Sequence, residues 1–159
     1  MVTLIPMTHE EYKAFQPHLI EDYAQVISQN LDTPIEEARE SALKLSSELL
    51  PQGVDTPGHR FFTIRREGFS DSAGTLWVFV DAPHKSAFIY DIKIAESLRG
   101  QGIGRAVLTL LEDLLRPEGY IKIGLQVFYS NPVARHLYES VGYKVISQNM
   151  QKNIILTQP

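Results

Sequence analysis

The sequence contains no cysteine. Disulfide frameworks, thiolate zinc sites, iron–sulfur clusters and cysteine nucleophiles are therefore excluded. A chain without thiols is suited to a reducing compartment, and we expect a cytoplasmic protein.

Long hydrophobic runs are also missing. Unbroken apolar stretches such as Trp77-Val78-Phe79-Val80 have only a few residues, whereas roughly 20 are needed to cross a bilayer. The first eleven residues have neither the basic start nor the long apolar run of a secretory signal. We therefore expect no membrane-spanning segment and no membrane partner.

Basic charge is scarce. The 15 lysines and arginines stand against 19 acidic residues, a net charge of −4, and no long basic run occurs. Nucleic acid is therefore not expected as a partner. The 159 residues, 43% of them hydrophobic, predict a single domain over residues 1–159 that buries a core without disulfides or structural metals.

Hydrophobic periodicity predicts an α/β (α+β) domain with the element order β-α-α-β-β-β-α-β-α-β. A capping box at Thr8 and Glu11 predicts the start of the first helix, which Pro17 is expected to kink or split. The predicted strands are 2–5, 59–66, 75–80, 87–94, 121–128 and 143–155, and the later helices are 35–49, 103–114 and 133–140.

Alternation within the strand 87–94 predicts which side chains share a face of the sheet. One face is expected to carry Phe88, Tyr90, Ile92 and Ile94. The other is expected to carry Ile89, Asp91 and Lys93.

The most informative stretch is a glycine-rich turn between a predicted strand and a predicted helix. It reads Arg99-Gly100-Gln101-Gly102-Ile103-Gly104-Arg105. Glycines allow a close backbone approach, and the helix N-terminus favours an anion, so the turn predicts a phosphate site with an arginine on each side. The chain has no Gly-Lys-Ser/Thr sequence, and Arg105 stands where a dinucleotide fingerprint needs its third glycine, so neither nucleotide motif fits.

Two segments of this chain resemble the GNAT N-acetyltransferases. The first is Arg99-x-x-Gly102-x-Gly104, which is similar to the family's pyrophosphate-binding signature. The second is Asn131-Pro-Val-Ala-Arg-His-Leu-Tyr-Glu-Ser-Val-Gly-Tyr143, which is similar to its Asn-x-x-Ala-x-x-Leu-Tyr-x-x-x-Gly-Phe/Tyr segment. The resemblance implies a mixed, mostly antiparallel sheet with two splayed parallel strands, 87–94 and 121–128, and helices on both faces. It also implies acetyl-CoA as cosubstrate and no metal.

The resemblance implies a set of cofactor-binding residues. Extended backbone at Ile92, Lys93 and Ile94 would pair with the pantetheine arm as an added strand does. Asn131 would hold the pantetheine or the reacting region, and Arg135 would reach the coenzyme phosphates. The pyrophosphate would lie on the turn formed by Arg99, Gly100, Gln101, Gly102, Ile103, Gly104 and Arg105.

Tyr138 is the predicted catalytic residue. A phenol with an ordinary pKa near 10 remains protonated at neutral pH, so it can protonate a leaving thiolate. No general base is assigned, because alternation turns Asp91 away from the face of Ile92 and Ile94. The alternatives left open are an ordered water and the loop residues Glu96, His84 and His59.

The predicted reaction is direct transfer of an acetyl group from acetyl-CoA to a primary amine of a small molecule, peptide or protein. The acceptor pocket is expected between the N-terminal helix pair, the loop 51–57, Trp77 and Tyr90. A non-catalytic acetyl-CoA sensor and transfer of longer acyl groups are the alternatives, and the acceptor's identity and a homodimer are left open.

Overall fold

The computed structural model describes residues 1–155. Among them the chain forms a five-stranded sheet, four α-helices and two short 3-10 helices at Gly53–Asp55 and Glu96–Leu98. The strands are β1 (Val2–Pro6), β2 (His59–Arg66), β3 (Gly74–Asp81), β4 (Ser86–Ile94) and β5 (Lys122–Leu125). The helices are α1 (His9–Leu31), α2 (Ile35–Leu49), α3 (Ile103–Leu115) and α4 (Pro132–Ser140).

The strands are ordered β1-β2-β3-β4-β5, and neighbouring strands run antiparallel except for the parallel pair β4 and β5. The parallel pairing joins residues 86–89 to residues 122–125. Beyond Ile89 and Leu125 the two strands no longer pair, although β4 continues to Ile94. The predicted mixed sheet with a splayed parallel pair is confirmed.

Helices cover both faces of the sheet, as predicted. On one face α3 packs against the strands through Val107, Leu108 and Leu111, which are fully buried. On the other face Tyr12 of α1 packs against Phe61 of β2, with ring centroids 4.9 Å apart. Each face therefore has its own apolar core.

Helix α1 begins at the predicted capping box. The Glu11 N–H donates to Thr8 Oγ1 at 3.1 Å, and the Thr8 N–H donates to Glu11 Oε2 at 2.9 Å. The helix continues unbroken through Pro17 to Leu31, so the prediction that Pro17 splits it is wrong. Proline removes one helical N–H, and the packing of α1 along α2 and the sheet outweighs that loss.

A β-bulge in β4 overturns the predicted alternation. Trp77 pairs with Asp91 and Val78 pairs with Ile89, so Tyr90 is the extra residue. Because a bulge shifts the side-chain period by one residue, Ile89 and Ile92 both contribute to the core under α3. Tyr90 and Asp91 lie on the opposite face, towards α1.

The last predicted strand, 143–155, is absent. Residues 143–154 have no helix or strand, and every residue of 144–155, which we call the C-terminal segment, is exposed. The extended sequence pattern is present, but no neighbouring edge of this chain pairs with it. The predicted strand 121–128 is likewise reduced to Lys122–Leu125. No helix within residues 1–155 is long and apolar enough to cross a membrane.

Candidate active site

The glycine turn joins the end of β4 to α3. Gly100 and Gly102 have φ angles of +75° and +81°, a left-handed conformation that glycine adopts without strain. A Cβ added at either residue would meet nothing within 4 Å, so the space over the turn is open. The turn therefore has the room and the backbone shape that a diphosphate requires.

The N-terminus of α3 provides donors for an anion. Its first intrahelical bond is the one from the Ala106 N–H to Gly102 O, at 3.1 Å. The N–H groups of Ile103, Gly104 and Arg105 precede that bond, and the first N–H groups of a helix have no intrahelical acceptor. Together with the helix dipole, they favour a phosphate at this position.

The polar side chains of the turn are held by other parts of the chain. Arg99 Nε donates to the Ile94 carbonyl at 3.0 Å, which ties the turn to β4. Arg66 donates to Gln101 Oε1 at 2.6 Å, and Arg105 donates to Ser140 Oγ at 2.8 Å. Both predicted phosphate arginines therefore also brace the turn.

Gly104 has a packing role. A Cβ there would lie 2.9 Å from Leu137 Cδ2, so the absence of a side chain lets α4 approach α3 closely. This contact joins the two segments that carry the sequence resemblance.

The backbone of Ile92–Ile94 lies where β4 has left β5. On one side these residues pair with β3, Ile92 with Leu76 and Ile94 with Gly74. On the other side the pairing with β5 has already ended at Ile89. This half of β4 can therefore accept an added extended chain, as the sequence predicted.

Helix α4 carries the remaining predicted residues. Asn131 is its N-cap, since Asn131 Oδ1 accepts from the Ala134 N–H at 3.1 Å. Arg135 lies over the Tyr129 ring at 5.6 Å and is 3.9 Å from Glu139 Oε1. Asn131 thus has a structural role besides the predicted one, and Arg135 is partly neutralised by its neighbour.

Tyr138 is buried on the inner side of α4. Its ring meets Tyr143 edge to face at 5.7 Å. Burial, and secondarily the Asp91 carboxylate, raises the pKa of Tyr138 to about 12. The phenol therefore stays protonated across the physiological pH range, as an acid that protonates a thiolate must.

On the opposite face a cavity of about 360 Å³ lies between α1 and the sheet. Asp91 and Lys93, both from the unpaired half of β4, line it together with Thr63 of β2 and Thr75 of β3. Helix α1 supplies the other wall, through Glu11, Ala14, Phe15, His18, Leu19 and Asp22. The cavity therefore reaches the part of β4 that has separated from β5.

Asp91 is the titratable group with the most perturbed carboxyl in this cavity. Burial, reinforced by the charge of Asp22 and opposed by that of Lys93, raises the pKa of Asp91 to about 6. Such a carboxylate is ionised at neutral pH and still basic enough to take a proton. Sequence reasoning missed it because nothing in the residues 86–94 announces the bulge at Tyr90.

The other charged groups of the cavity are paired. Lys93 Nζ donates to Asp22 Oδ2 at 2.6 Å and so links β4 to α1. Arg65 donates to Glu11 Oε1 at 3.3 Å. Asp91 is thus the carboxylate of this cavity with no ion pair in the part of the chain that the structure describes.

Several predictions about the pocket need correction. Helix α2, the loop 51–57, Trp77 and Tyr90 do not line the cavity. Instead Trp77 and Tyr90 stack on each other with centroids 4.5 Å apart. Among the loop candidates for the base, His59 accepts a hydrogen bond from Trp77 Nε1 at 2.9 Å, and burial lowers the pKa of its imidazole.

Comparison with known proteins agrees with this geometry. Residues 20–143 match the model of the Acetyltransferase (GNAT) family. The chain is 30% identical over 155 residues to YycN of Bacillus subtilis, an uncharacterized N-acetyltransferase, with 96% of this chain and 99% of YycN covered. It is 31% identical over 157 residues to YdgE of the same organism, also an uncharacterized N-acetyltransferase, with 96% and 98% covered.

Solved structures show the same fold. The crystal structure of YycN matches with a TM-score of 0.92 at 30% identity, covering 98% of this chain and 100% of that one. Spermidine N-acetyltransferase from Vibrio cholerae, in complex with CoA and spermine, has a TM-score of 0.63 at 24% identity, covering 89% and 79%; this is a likeness of fold alone. The family match and the YycN relationship show that this chain belongs to the GNAT family of acetyltransferases.

Proposed function

We propose that this protein transfers an acetyl group from acetyl-CoA to a primary amine by direct attack, within one domain spanning residues 1–159. The observation that carries the proposal is the position of Asp91. The bulge turns this carboxylate into the cavity under α1, at the half of β4 that has separated from β5. A base thus faces the cavity at the place where the family match puts the thioester.

The coenzyme would be held mainly by backbone. The open glycines Gly100 and Gly102 and the free N–H groups at the start of α3 suit a diphosphate. The free edge of Ile92–Ile94 suits the amides of the pantetheine arm. When bound, acetyl-CoA supplies an activated thioester, and the remaining chemistry is the positioning of an amine and the movement of two protons.

Asp91 and Tyr138 would divide those two protons. The Asp91 carboxylate takes a proton from the attacking amine, whose nitrogen bonds to the carbonyl carbon as the carbon–sulfur bond breaks. The Tyr138 hydroxyl gives its proton to the departing sulfur. The charge of Asp91 contributes to the raised pKa of Tyr138, which is consistent with the two groups flanking one reaction centre.

The cavity favours a small cationic amine as acceptor. Three carboxylates line it, those of Glu11, Asp22 and Asp91, against the single lysine Lys93. A cation is attracted to such a site, and deprotonation by Asp91 would convert the bound ammonium to the nucleophile. The Vibrio cholerae protein of the same fold is named for a polyamine, spermidine.

Thiol release with a panel of amines tests the proposal. We expect the chain to bind acetyl-CoA in calorimetry and to release free thiol with at least one primary amine, together with an acetylated amine seen by mass spectrometry. Acetyl-CoA binding without turnover on any primary amine would favour the alternative, a non-catalytic sensor. Absence of binding would contradict both. Succinyl and longer thioesters in the same assay test the preference for acetyl.

A further inference from the structure

The C-terminal segment, residues 144–155, is the most exposed apolar stretch of the described chain. Ile146 and Met150 are 91% and 92% exposed, and Val145, Ile154 and Ile155 are exposed as well. A soluble chain rarely leaves so many large apolar side chains clustered in one segment without a partner. The composition of the segment is that of a strand with a buried face.

The backbone of the segment is equally unsatisfied within residues 1–155. No backbone–backbone hydrogen bond involves residues 144–155; the last one in the chain runs from the Tyr143 N–H to Tyr138 O. Side chains near the far end instead reach the end of α1, where Gln151 Nε2 donates to the Leu31 carbonyl at 3.2 Å. The segment is therefore extended past its own sheet.

Strand β5 presents the complementary surface. It pairs with β4 on one side, and its other edge has no strand partner among residues 1–155. The core beneath this edge is only half covered, since Ile123, Leu125 and Leu137 pack against it but are not fully buried. A parallel strand normally lies inside a sheet and not at its open edge.

We propose that two copies of this chain form a symmetric dimer in which the C-terminal segment of each copy adds as a strand to β5 of the other. One interface then satisfies both defects, because the unpaired segment and the open edge belong to the same chain. Such reciprocal complementarity produces a closed two-fold pair. The apolar side chains of the segment cover the exposed rim of the core beside α4.

Two further observations favour a second copy as the occupant. The far end of the segment is tied to Leu31 and Asp32, so it does not lie along the β5 edge of its own chain. The segment has two lysines and no acidic residue, whereas the whole chain has a net charge of −4. The segment is therefore electrostatically attracted to the remainder of a second copy.

Light scattering of the full chain at micromolar concentration tests the dimer. We expect the unmodified protein to have twice the mass of one chain. Ile146→Asp should weaken the dimer by about tenfold or more, because a carboxylate would be buried in the interface. The matched control Leu43→Asp alters an exposed leucine of α2 and should leave the dimer intact. A monomeric unmodified protein, or equal behaviour of the two variants, would overturn the proposal.

Cross-linking distinguishes exchange between chains from folding back within one. The chain has no cysteine, so single thiols can be placed at Lys122→Cys beside the β5 edge and at Ile146→Cys. With a flexible bis-maleimide, the two variants co-expressed should give a covalent heterodimer, and Leu43→Cys with Lys122→Cys should not. If the double variant Lys122→Cys/Ile146→Cys gives only cross-linked monomers, the segment covers its own β5 and the exchange is refuted.

Discussion

The glycine turn and the cavity under α1 serve opposite faces of one sheet, and they are encoded differently. The turn is built from seven consecutive residues, and its groups for an anion are backbone N–H groups of α3. The cavity is built from side chains of α1 and three strands that are distant in sequence. A site made of backbone is therefore sensitive to conformation, whereas a site made of side chains is sensitive to which face each residue occupies.

Asp91→Asn should have the largest effect on this comparison. Loss of a general base typically costs about 10²–10⁴-fold, so kcat should fall by that factor while the Kd of acetyl-CoA is unchanged. In the parent, activity should be lost as the pH falls through about 6, where Asp91 becomes protonated, and the variant should lack this acidic limb. The control Asp81→Asn alters an exposed end of β3. A parent-like rate for Asp91→Asn would remove Asp91 from the mechanism.

Tyr138→Phe should have the next largest effect. The substitution keeps the ring and its edge-to-face contact with Tyr143 but removes the proton donor, so we expect kcat to fall by about 10²-fold. Coenzyme affinity should change little. Stopped-flow single-turnover measurement isolates the chemical step. Near-parental single-turnover rates would make Tyr138 a packing residue, with water protonating the thiolate.

Gly102→Asp tests the other region. The carboxylate would enter the open space above the turn and repel the coenzyme diphosphate, so the Kd of acetyl-CoA should rise by about 10–100-fold. Gly102→Asn is the matched control, because asparagine has the same shape and also tolerates a φ of +81°. Calorimetry measures both. Equal affinities for the two variants would show that charge at the turn is irrelevant to binding.

Arg135→Ala should have the smallest effect. An exposed charge contributes about 0.2–1 kcal/mol, and Arg135 is already near Glu139, so the Kd should rise no more than about fivefold. Calorimetry at low and high salt would sharpen this, because the difference from the parent should shrink as salt increases. A loss comparable with that of Gly102→Asp would mean that α4, and not the turn, dominates phosphate binding.

Much of the fold could be predicted from local patterns. The capping box at Thr8, the hairpin of β2 and β3 and the helix that follows the glycine turn all depend on residues close in sequence, and the structure has each of them. The turn residues could be predicted for the same reason. The unbroken helix at Pro17 could not, because the packing that sustains it comes from α2 and the sheet.

The sequence alone determined the family resemblance, the open glycine turn and the protonated phenol at Tyr138, since these depend on residue type and short spacing. Only the tertiary structure decided that Asp91 enters the cavity, because the bulge at Tyr90 depends on how β4 pairs with β3. It also decided that residues 144–155 form no strand within this chain. A strand needs a neighbouring edge for its hydrogen bonds, and which edge is available is a property of the assembled sheet.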